Sequence, residues 1–435
     1  MPDLETYRRR RERLMREVGR GVVVVPTAPE RLRNRDSHYP YRFDSYFHYL
    51  TGFREPEAVL VLVAGEHVRS ILFARAKDPE RETWDGFRYG PEAAREAFGF
   101  DQAFPVATLD ERMPELIADQ PALHMPLGAD PDWDTRVLGW INRVREQARS
   151  GVAAPGAVYD VRVVLDEMRL IKDDAEIVLM RGAAEIAAGA HRRAMRAARP
   201  GVKEYEIEAE LLHEFRRRGA QAPAYSPIVA GGAHACVLHY VDNSAELRDG
   251  ELLLIDAGCE LDGYASDITR TFPVNGRFSG EQKTVYELVL AAQAAAMEKV
   301  RAGTPWDAPH EAAVRVLAQG FVDLGLCSGS VAAVIESGDY KRFYMHRTGH
   351  WLGMDVHDAG DYKRDGRWRA LEPGMILTVE PGCYIRPADN VPERFWNIGV
   401  RIEDDVLVTA GECEVLTGAA PKAVAEIESL MAVGV

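Results

Sequence analysis

The stretch that decides the fold is residues 251–274, ELLLIDAGCELDGYASDITRTFPV. Two runs rich in Leu, Ile, Thr and Phe flank an Asp-Gly pair at 262–263, a common signal for a two-residue turn between antiparallel strands. With the turn at that pair, Asp256 lies opposite Thr269. Asp267 then falls on the same face as Asp256, because side chains alternate between faces along a strand. The sequence therefore predicts a β-hairpin that holds two carboxylates close together.

Two carboxylates on one face of an apolar hairpin would repel each other strongly. Buried like charges are tolerated with a bound cation or a shared proton; the alternative is a solvated edge where both face water. The second half of the chain supplies a matching pair, Glu380 in MILTVEPG and Glu403 in GVRIEDD. Four ionised acids carry about four negative charges, which two divalent cations neutralise. The two pairs together favour a two-metal site.

Residues 346–358, HRTGHWLGMDVHD, add three histidines, namely His346, His350 and His357. Imidazole is a common metal ligand and a hydrogen-bond donor near neutral pH. One imidazole among four carboxylates makes an oxygen-rich site that suits Mn²⁺, and Co²⁺, Fe²⁺ or Zn²⁺ could replace it. We therefore expect two divalent metal ions as the cofactor.

The order of sequence patterns predicts two domains, as the length of 435 residues also indicates. Residues 1–155 alternate strand and helix patterns, with a turn at Gly65-Glu66, and predict an α/β domain. A Gly/Ala/Pro stretch, residues 151–160, is the expected linker. Residues 165–435 contain the order helix, helix, hairpin twice. That repetition predicts an α+β domain with an internal two-fold pseudo-repeat.

Composition excludes several classes of protein. The net charge of −15 and the sequence pI near 5.4 argue against nucleic acid as a partner, because phosphate binding needs a basic face. The sequence contains no run of about 18 apolar residues, so no membrane span is expected. The N-terminus has a basic stretch without the apolar segment of a secretory signal. Five scattered cysteines favour a reducing cytoplasm over a disulfide framework.

The motifs around the acidic residues resemble those of aminopeptidase P, one of the "pita-bread" metallopeptidases, which include methionine aminopeptidase, prolidase and creatinase. The resemblance covers residues 36–62, DSHYPYRFDSYFHYLTGFREPEAVLVL, and residues 167 to about 416. Its most specific motifs are IDAG, SDITRTFP, GHWLGMDVHD, TVEPGCY and GVRIEDD. The resemblance implies an aminopeptidase P type N-terminal domain followed by a pita-bread catalytic domain.

The same motifs imply which residues serve the reaction. The implied metal ligands, all intact although creatinase shares the fold without metals, are Asp256, Asp267, His350, Glu380 and Glu403. The implied catalytic residues are Glu380, His357, His239, His346 and Arg401. The implied substrate-binding residues are Tyr384, Arg367, Trp84 and Arg149. The last two belong to the first domain, where such residues in family members can reach the site of a neighbouring subunit.

The resemblance implies an Xaa-Pro aminopeptidase, an exopeptidase that releases the N-terminal residue from peptides with proline at position two. A metal-bridging hydroxide is expected to attack the carbonyl before proline. Glu380 would carry the proton to the proline nitrogen, and His357 would stabilise the oxyanion. The nearest alternative is prolidase, which cleaves only Xaa-Pro dipeptides. A non-catalytic peptide-binding module is a second alternative, against which the intact ligands argue. The resemblance also implies a homodimer or homotetramer.

Overall fold

The computed structural model describes residues 3–65 and 67–432. The chain divides into two compact units between Met168 and Arg169. The turn predicted at Gly65-Glu66 includes Glu66, which lies outside the described residues. Among the described residues, no helix combines the length and the apolar character that a membrane crossing requires.

The first unit is built on a six-stranded mixed sheet with the order β6-β5-β4-β1-β7-β8. Its central strands β1 and β4 are runs of Val and Leu that are buried along their length except at Pro26, as expected for strands covered on both faces. The strands are β1 Val22–Pro26, β2 Leu32–Asn34, β3 Ser37–His38, β4 Val59–Val63, β5 Arg69–Ala74, β6 Gln102–Pro105, β7 Ala122–Met125 and β8 Ala157–Asp160. The helices are α1 Leu4–Val18, α2 Ser45–Thr51, α3 Pro79–Asp85, α4 Gly90–Phe98, α5 Leu109–Ile117 and α6 Pro131–Arg145, and α7 Arg162–Leu170 follows.

The segment predicted to be a linker, residues 151–160, supplies the last strand of this sheet instead. β8 pairs in parallel with β7, with Ala122 opposite Ala157. Val152, Ala154 and Val158 pack against the core of the unit. The Gly/Ala/Pro composition therefore reflects a turn into an edge strand, and the unit extends past this segment.

The second unit contains the predicted order helix, helix, hairpin twice, so the internal repeat is confirmed. Its helices are α8 Asp174–Ala197, α9 Glu204–Arg217, α10 Gly280–Met297, α11 Ala308–Asp323, α12 Val331–Ser337 and α13 Val424–Ala432. Its strands are β9 Ala222–Pro223, β10 Ile228–Gly231, β11 Leu252–Asp256, β12 Cys259–Leu261, β13 Tyr264–Ala265, β14 Thr269–Pro273, β15 Lys363–Arg364, β16 Arg367–Trp368, β17 Ile376–Val379, β18 Gly382–Ile385, β19 Ile398–Arg401, β20 Asp404–Leu407 and β21 Glu414–Val415.

The first helix of each half begins at a capping box. Asp173 caps α8 with Glu176 three residues on, and Ser279 caps α10 with Gln282 in the same relation. In each box the side chain at the cap accepts from a backbone N–H, and the later side chain accepts from the backbone of the cap. This exchange involves residues only three apart, so it can be recognised in a short stretch of sequence.

The first hairpin has the predicted register, with Asp256 opposite Thr269. Asp262 and Gly263 form its turn with φ of +52° and +86°. The hairpin is not continuous, however, because the strand pair breaks after Asp256. At Gly258 the carbonyl oxygen of Ser266 would lie 1.6 Å from an added Cβ, so only glycine permits this close approach.

The second half breaks in the same way. Glu380 lies between β17 and β18, and Glu403 lies between β19 and β20. β17 pairs with β20, whereas β18 pairs with β19, so the chain changes partner at Glu380 and again at Glu403. In both halves, therefore, the acidic side chains sit where the ladder of backbone hydrogen bonds changes partner.

Candidate metal centre and active site

The five predicted metal ligands line one cavity, and the four acids among them lie at these breaks. Asp267, His350 and Glu403 each offer a ligand atom, and the three atoms lie within 4.8 Å of one another. His350 Nε2 lies 3.5 Å from an oxygen of Asp267 and 3.8 Å from an oxygen of Glu380. Asp256 and Glu380 line the same cavity. The cluster thus joins both halves of the second unit.

The ring of His350 is oriented so that Nε2 is available as a ligand. Nδ1 lies 2.9 Å from the carbonyl oxygen of Trp351. A carbonyl only accepts, so the proton of the neutral ring is on Nδ1. The backbone N–H of His350 donates to Thr378 Oγ1, and the backbone N–H of Thr378 donates to the carbonyl of His350. These bonds fix His350 against β17.

Burial and crowding raise the pKa values of three of the acids, namely Asp267, Glu380 and Glu403. Burial, followed by the charge of Glu403, raises the pKa of Glu380 to about 8. Burial, followed by Asp256, raises the pKa of Asp267 well above its usual value. The pKa of Glu403 is raised likewise by burial and then by Asp267. The repulsion remains although the Arg401 guanidinium lies 2.6 Å from Asp256.

Tyr225 contacts two of the acids and was missed in the sequence. Its hydroxyl lies 2.5 Å from an oxygen of Asp256 and 2.5 Å from an oxygen of Asp267. Burial, and then Asp256, raise the pKa of Tyr225, so it keeps its proton. One proton cannot serve two carboxylates fully. The segment PAYSPIV around it has no acidic or histidine neighbour that would have drawn attention to it.

A chain of hydrogen bonds starts at Arg401, which is buried. The guanidinium donates to Asp256 at 2.6 Å, to the hydroxyl of Tyr384 at 3.0 Å and to Thr269 Oγ1 at 3.0 Å. Thr269 in turn donates to Glu403 at 2.7 Å. Arg401 therefore orients one acid directly and a second through Thr269.

Both ring nitrogens of His346 are engaged by the protein. Nδ1 lies 2.8 Å from the carbonyl oxygen of Arg347, and Nε2 lies 2.8 Å from the hydroxyl of Tyr384. Burial, and then Arg401, lower the pKa of His346 to about 3, so the ring is neutral and accepts at Nε2. Its N–H is therefore already used, and the ring contributes a wall of the cavity.

His357 and His239 line the cavity from two different segments. The ring of His357 packs edge-on against that of His350, with centroids 4.4 Å apart. Partial burial, and then His350, lower the pKa of His357, so it is neutral at pH 7 and has one N–H to donate. The neighbouring Asp358 is buried and 2.9 Å from Lys172 Nζ, which holds the segment in place.

A cavity of about 860 Å³ surrounds the cluster. Its wall combines polar and apolar side chains. Besides the acids and histidines, the cavity is lined by three aromatic side chains, namely Trp306, Tyr362 and Trp368. An apolar wall with a few convergent polar groups is typical of a site for a small organic ligand. No motif in the sequence indicated this aromatic wall.

The remaining predicted residues lie elsewhere. Arg367 is exposed in β16, next to Trp368 of the cavity. Trp84 is 80% exposed on α3, and Arg149 is exposed in a 3₁₀ turn; both belong to the first unit. Nothing in these positions tests a role in binding, so substrate binding by these three residues stays a prediction.

The cluster fits divalent metal ions. Its donors are carboxylate oxygens and one imidazole nitrogen, the set preferred by Mn²⁺ and related ions. The raised pKa values and the doubly shared Tyr225 hydroxyl are two signs that positive charge is needed there. Such a centre can polarise a carbonyl and activate water, and the neutral His357 can donate to a developing oxyanion.

Sequence comparison places known families on both units. Residues 178–410 match metallopeptidase family M24, and residues 7–124 match the aminopeptidase P N-terminal domain. The Xaa-Pro aminopeptidase of Escherichia coli strain K12 is 44% identical over 430 residues, which cover 98% of this chain and 97% of that protein.

Solved structures agree with the sequence matches. Aminopeptidase PepP of Pseudomonas aeruginosa has a TM-score of 0.98 at 52% identity and covers 100% of this chain and 99% of that one. Zinc-substituted aminopeptidase P of Escherichia coli, in complex with product, has a TM-score of 0.97 at 43% identity, again covering 100% and 99%. Both units therefore have the fold that the sequence motifs implied.

Proposed function

Because the chain belongs to metallopeptidase family M24 and is a metallo-aminopeptidase, we propose that its substrates are peptides with proline at position two. The enzyme would release the residue before that proline. The observation that carries the proposal is the cluster of four acids and His350 inside the large cavity. The relatives named Xaa-Pro aminopeptidase and aminopeptidase P supply the substrate class.

The proposed ligands are Asp256, Asp267, His350, Glu380 and Glu403. Five such residues with four carboxylates suit two ions, because a single divalent ion would leave net negative charge in a buried place. Mn²⁺ is the proposed ion, with Co²⁺ or Zn²⁺ as substitutes. Elemental analysis of protein loaded with each metal, together with activity, identifies the number and the ion.

When bound, the ions would polarise the scissile carbonyl and make a water molecule more acidic. Glu380 takes the proton of the attacking water on a carboxylate oxygen and delivers it to the departing proline nitrogen. His357 donates its N–H to the oxyanion that forms on the carbonyl. His239, at the rim of the same cavity, faces the leaving group. Arg401 holds Asp256 directly and Glu403 through Thr269, and the hydroxyl of Tyr384 links Arg401 to His346.

Proline at position two suits this cavity because the bond before proline has no N–H to be satisfied. The ring needs an apolar surface rather than an amide partner, and the cavity offers apolar side chains such as Ile228 and Leu238. The free amino group of the peptide would bind at the acidic cluster. That requirement restricts cleavage to the N-terminal end.

The direct test compares three related peptides, namely the tripeptides Xaa-Pro-Xaa and Xaa-Ala-Xaa and the dipeptide Xaa-Pro. We expect release of the first residue from Xaa-Pro-Xaa and at least about 100-fold slower release from the alanine peptide. Prolidase, the second candidate, would cleave the dipeptide and leave the tripeptide intact. Product identity by mass spectrometry distinguishes these outcomes.

Glu380→Gln tests the proton carrier. We expect turnover to fall about 10²- to 10⁴-fold, the usual contribution of a positioned acid–base group. Glu281→Gln, on the exposed start of α10, is the matched control and should leave turnover unchanged. Near-normal turnover of Glu380→Gln with metal still bound would remove Glu380 from this role.

The cytoplasmic location and the homodimer or homotetramer stay predictions from sequence.

A further inference from the structure

Glu204, outside the metal centre, is a fully buried carboxylate with four hydrogen-bond donors around it. It is the first residue of α9, and its side chain has no exposed surface. Oε1 accepts from the backbone N–H of Gly231 at 2.8 Å and lies 3.2 Å from His234 Nδ1. Oε2 accepts from the hydroxyl of Tyr240 at 2.8 Å and from the backbone N–H of Ala245 at 2.9 Å. A buried carboxylate that accepts four hydrogen bonds holds its donors firmly in place.

All four donors belong to one stretch, residues 231–245, called the clamp segment below. The first donor lies at its start, two lie in its middle and one lies at its end. The clamp segment runs out from β10 and carries three residues that line the cavity, namely Leu238, His239 and Val241. One carboxylate therefore ties down both ends and the middle of the stretch that brings His239 to the cavity.

His239 has no tether of its own. Its side chain is exposed, and within residues 3–65 and 67–432 it makes no hydrogen bond to the protein. Its neighbour Tyr240 is held instead, by the hydroxyl bond to Glu204 and by stacking on His234 with ring centroids 4.3 Å apart. The place of the His239 ring therefore depends on the backbone that Glu204 fixes.

A second anchor keeps the segment folded when the first is weakened. The side chain of Asn243 accepts from the backbone N–H of Val229 and donates to the carbonyl of Pro227 and to Glu208. Asn243 lies near the end of the clamp segment, beyond His239. Loss of the Glu204 charge should therefore loosen the middle of the segment without unfolding it.

We propose that Glu204 is a positioning residue for catalysis, which holds the clamp segment so that His239 faces the substrate. This rests on the proposed function, because it takes His239 to act on the reacting peptide. A carboxylate offers lone pairs at both oxygens, whereas a carboxamide presents N–H groups on one side. Glu204→Gln therefore sets an N–H group against two of the four donors while keeping the size of the side chain.

The test is a double-mutant cycle on an Xaa-Pro-Xaa peptide. We expect Glu204→Gln to lower kcat about 10- to 100-fold, with less than about threefold change in KM and unchanged metal content. In the His239→Ala background the same change should cost less than about twofold, because its effect passes through His239. An equal loss in both backgrounds would overturn the proposal. Glu206→Gln, exposed on the same helix, is the control and should change nothing.

Hydrogen exchange separates this proposal from the proposed function. Amides of the clamp segment should exchange at least about tenfold faster in Glu204→Gln, with the ligand strands unchanged, whether or not the peptide is a substrate. Unchanged protection would refute the clamp. If Glu204→Gln does not fold, Tyr240→Phe removes one donor and keeps the ring; it should show the same changes on a smaller scale. A wild-type enzyme inactive on Xaa-Pro-Xaa would refute the proposed function only.

Discussion

Glu403 and Asp404 are neighbours in the sequence, and both side chains are buried, yet their electrostatic settings are opposite. Burial and then Asp267 raise the pKa of Glu403 well above its usual value. Burial alone would raise the pKa of Asp404 too, but Arg270 and then Lys422 overcome it and lower that pKa to about 2. The two side chains therefore lie in different surroundings, Glu403 in the cavity and Asp404 beside Arg270.

The difference separates an acid that the fold neutralises from one that it does not. Asp404 lies 2.7 Å from Arg270 and 2.6 Å from Lys422, and it also accepts from Thr417 and Gln293. The charge of Asp404 is therefore neutralised by cationic side chains of the fold itself. Glu403 instead lies close to Asp267 and Asp256, and its setting requires a countercharge from outside the chain.

The largest expected effect is on the unneutralised side. Glu403→Gln should lower peptidase activity more than about 100-fold, because even indirect partners of metal ligands cost about 10- to 100-fold. The metal-free protein should become no less stable, since a repelling charge is removed. Activity, bound metal and thermal unfolding after chelation check these statements. A Glu403→Gln enzyme with full metal content and full activity would contradict the ligand assignment.

Asp404→Asn should act on stability instead. Removing one partner of a buried pair leaves the guanidinium of Arg270 uncompensated, at a cost of about 3–5 kcal/mol. The next residue gives a matched control. Burial and then Asp267 raise the pKa of Asp405 well above its usual value. The carboxyl group of Asp405 accepts from the backbone N–H of Asp267, and a carboxamide oxygen at this position can accept the same bond. Asp405→Asn should therefore cost less than about 1 kcal/mol. Equal costs by denaturant unfolding would break the comparison.

The stability of the metal-free protein should fall as pH rises. The folded-state pKa of Glu380 is raised to about 8, so folding favours the protonated acid; that contribution is complete below the unfolded pKa near 4.3 and is lost as pH rises through about 8. Asp267 and Glu403 shift in the same direction. Melting temperatures of chelated protein from pH 5 to 8 should decline more steeply than those of the metal-loaded protein. A flat profile would mean that the acids are not crowded.

The smallest expected effect is at Lys422, whose side chain is 31% exposed. Lys422→Met should cost about 1 kcal/mol, since partial exposure screens the pair and Arg270 still neutralises Asp404. Activity should stay within about twofold of the wild type, because Lys422 contacts Asp404 and Gln293 rather than the cavity. The free energies of unfolding of Lys422→Met and Asp404→Asn in urea show how much each of the two cations stabilises Asp404. A loss as large as that of Asp404→Asn would show Lys422 to be the dominant partner.

Local signals in the sequence predicted the parts of the fold that depend on near neighbours. The Asp262-Gly263 turn gave the register that places Asp256 opposite Thr269. The capping boxes at Asp173 and Ser279 depend on equally short stretches of sequence. The same reasoning failed at residues 151–160, where a turn composition was interpreted as a linker although the chain pairs with a distant strand. Strand pairing between segments far apart has no signature in a short window.

By itself, the sequence determined which side chains come together as a candidate metal centre, because acids inside apolar strand runs and a histidine-rich segment are visible without coordinates. It also determined the repeated order of helices and hairpins. Only the tertiary structure decided that Tyr225 bridges Asp256 and Asp267, that Asp404 is neutralised while Glu403 is not, and that Glu204 ties down the stretch bearing His239. Those contacts join residues that are distant in the chain, and Coulomb interactions and hydrogen bonds depend on distance in space rather than on separation in sequence.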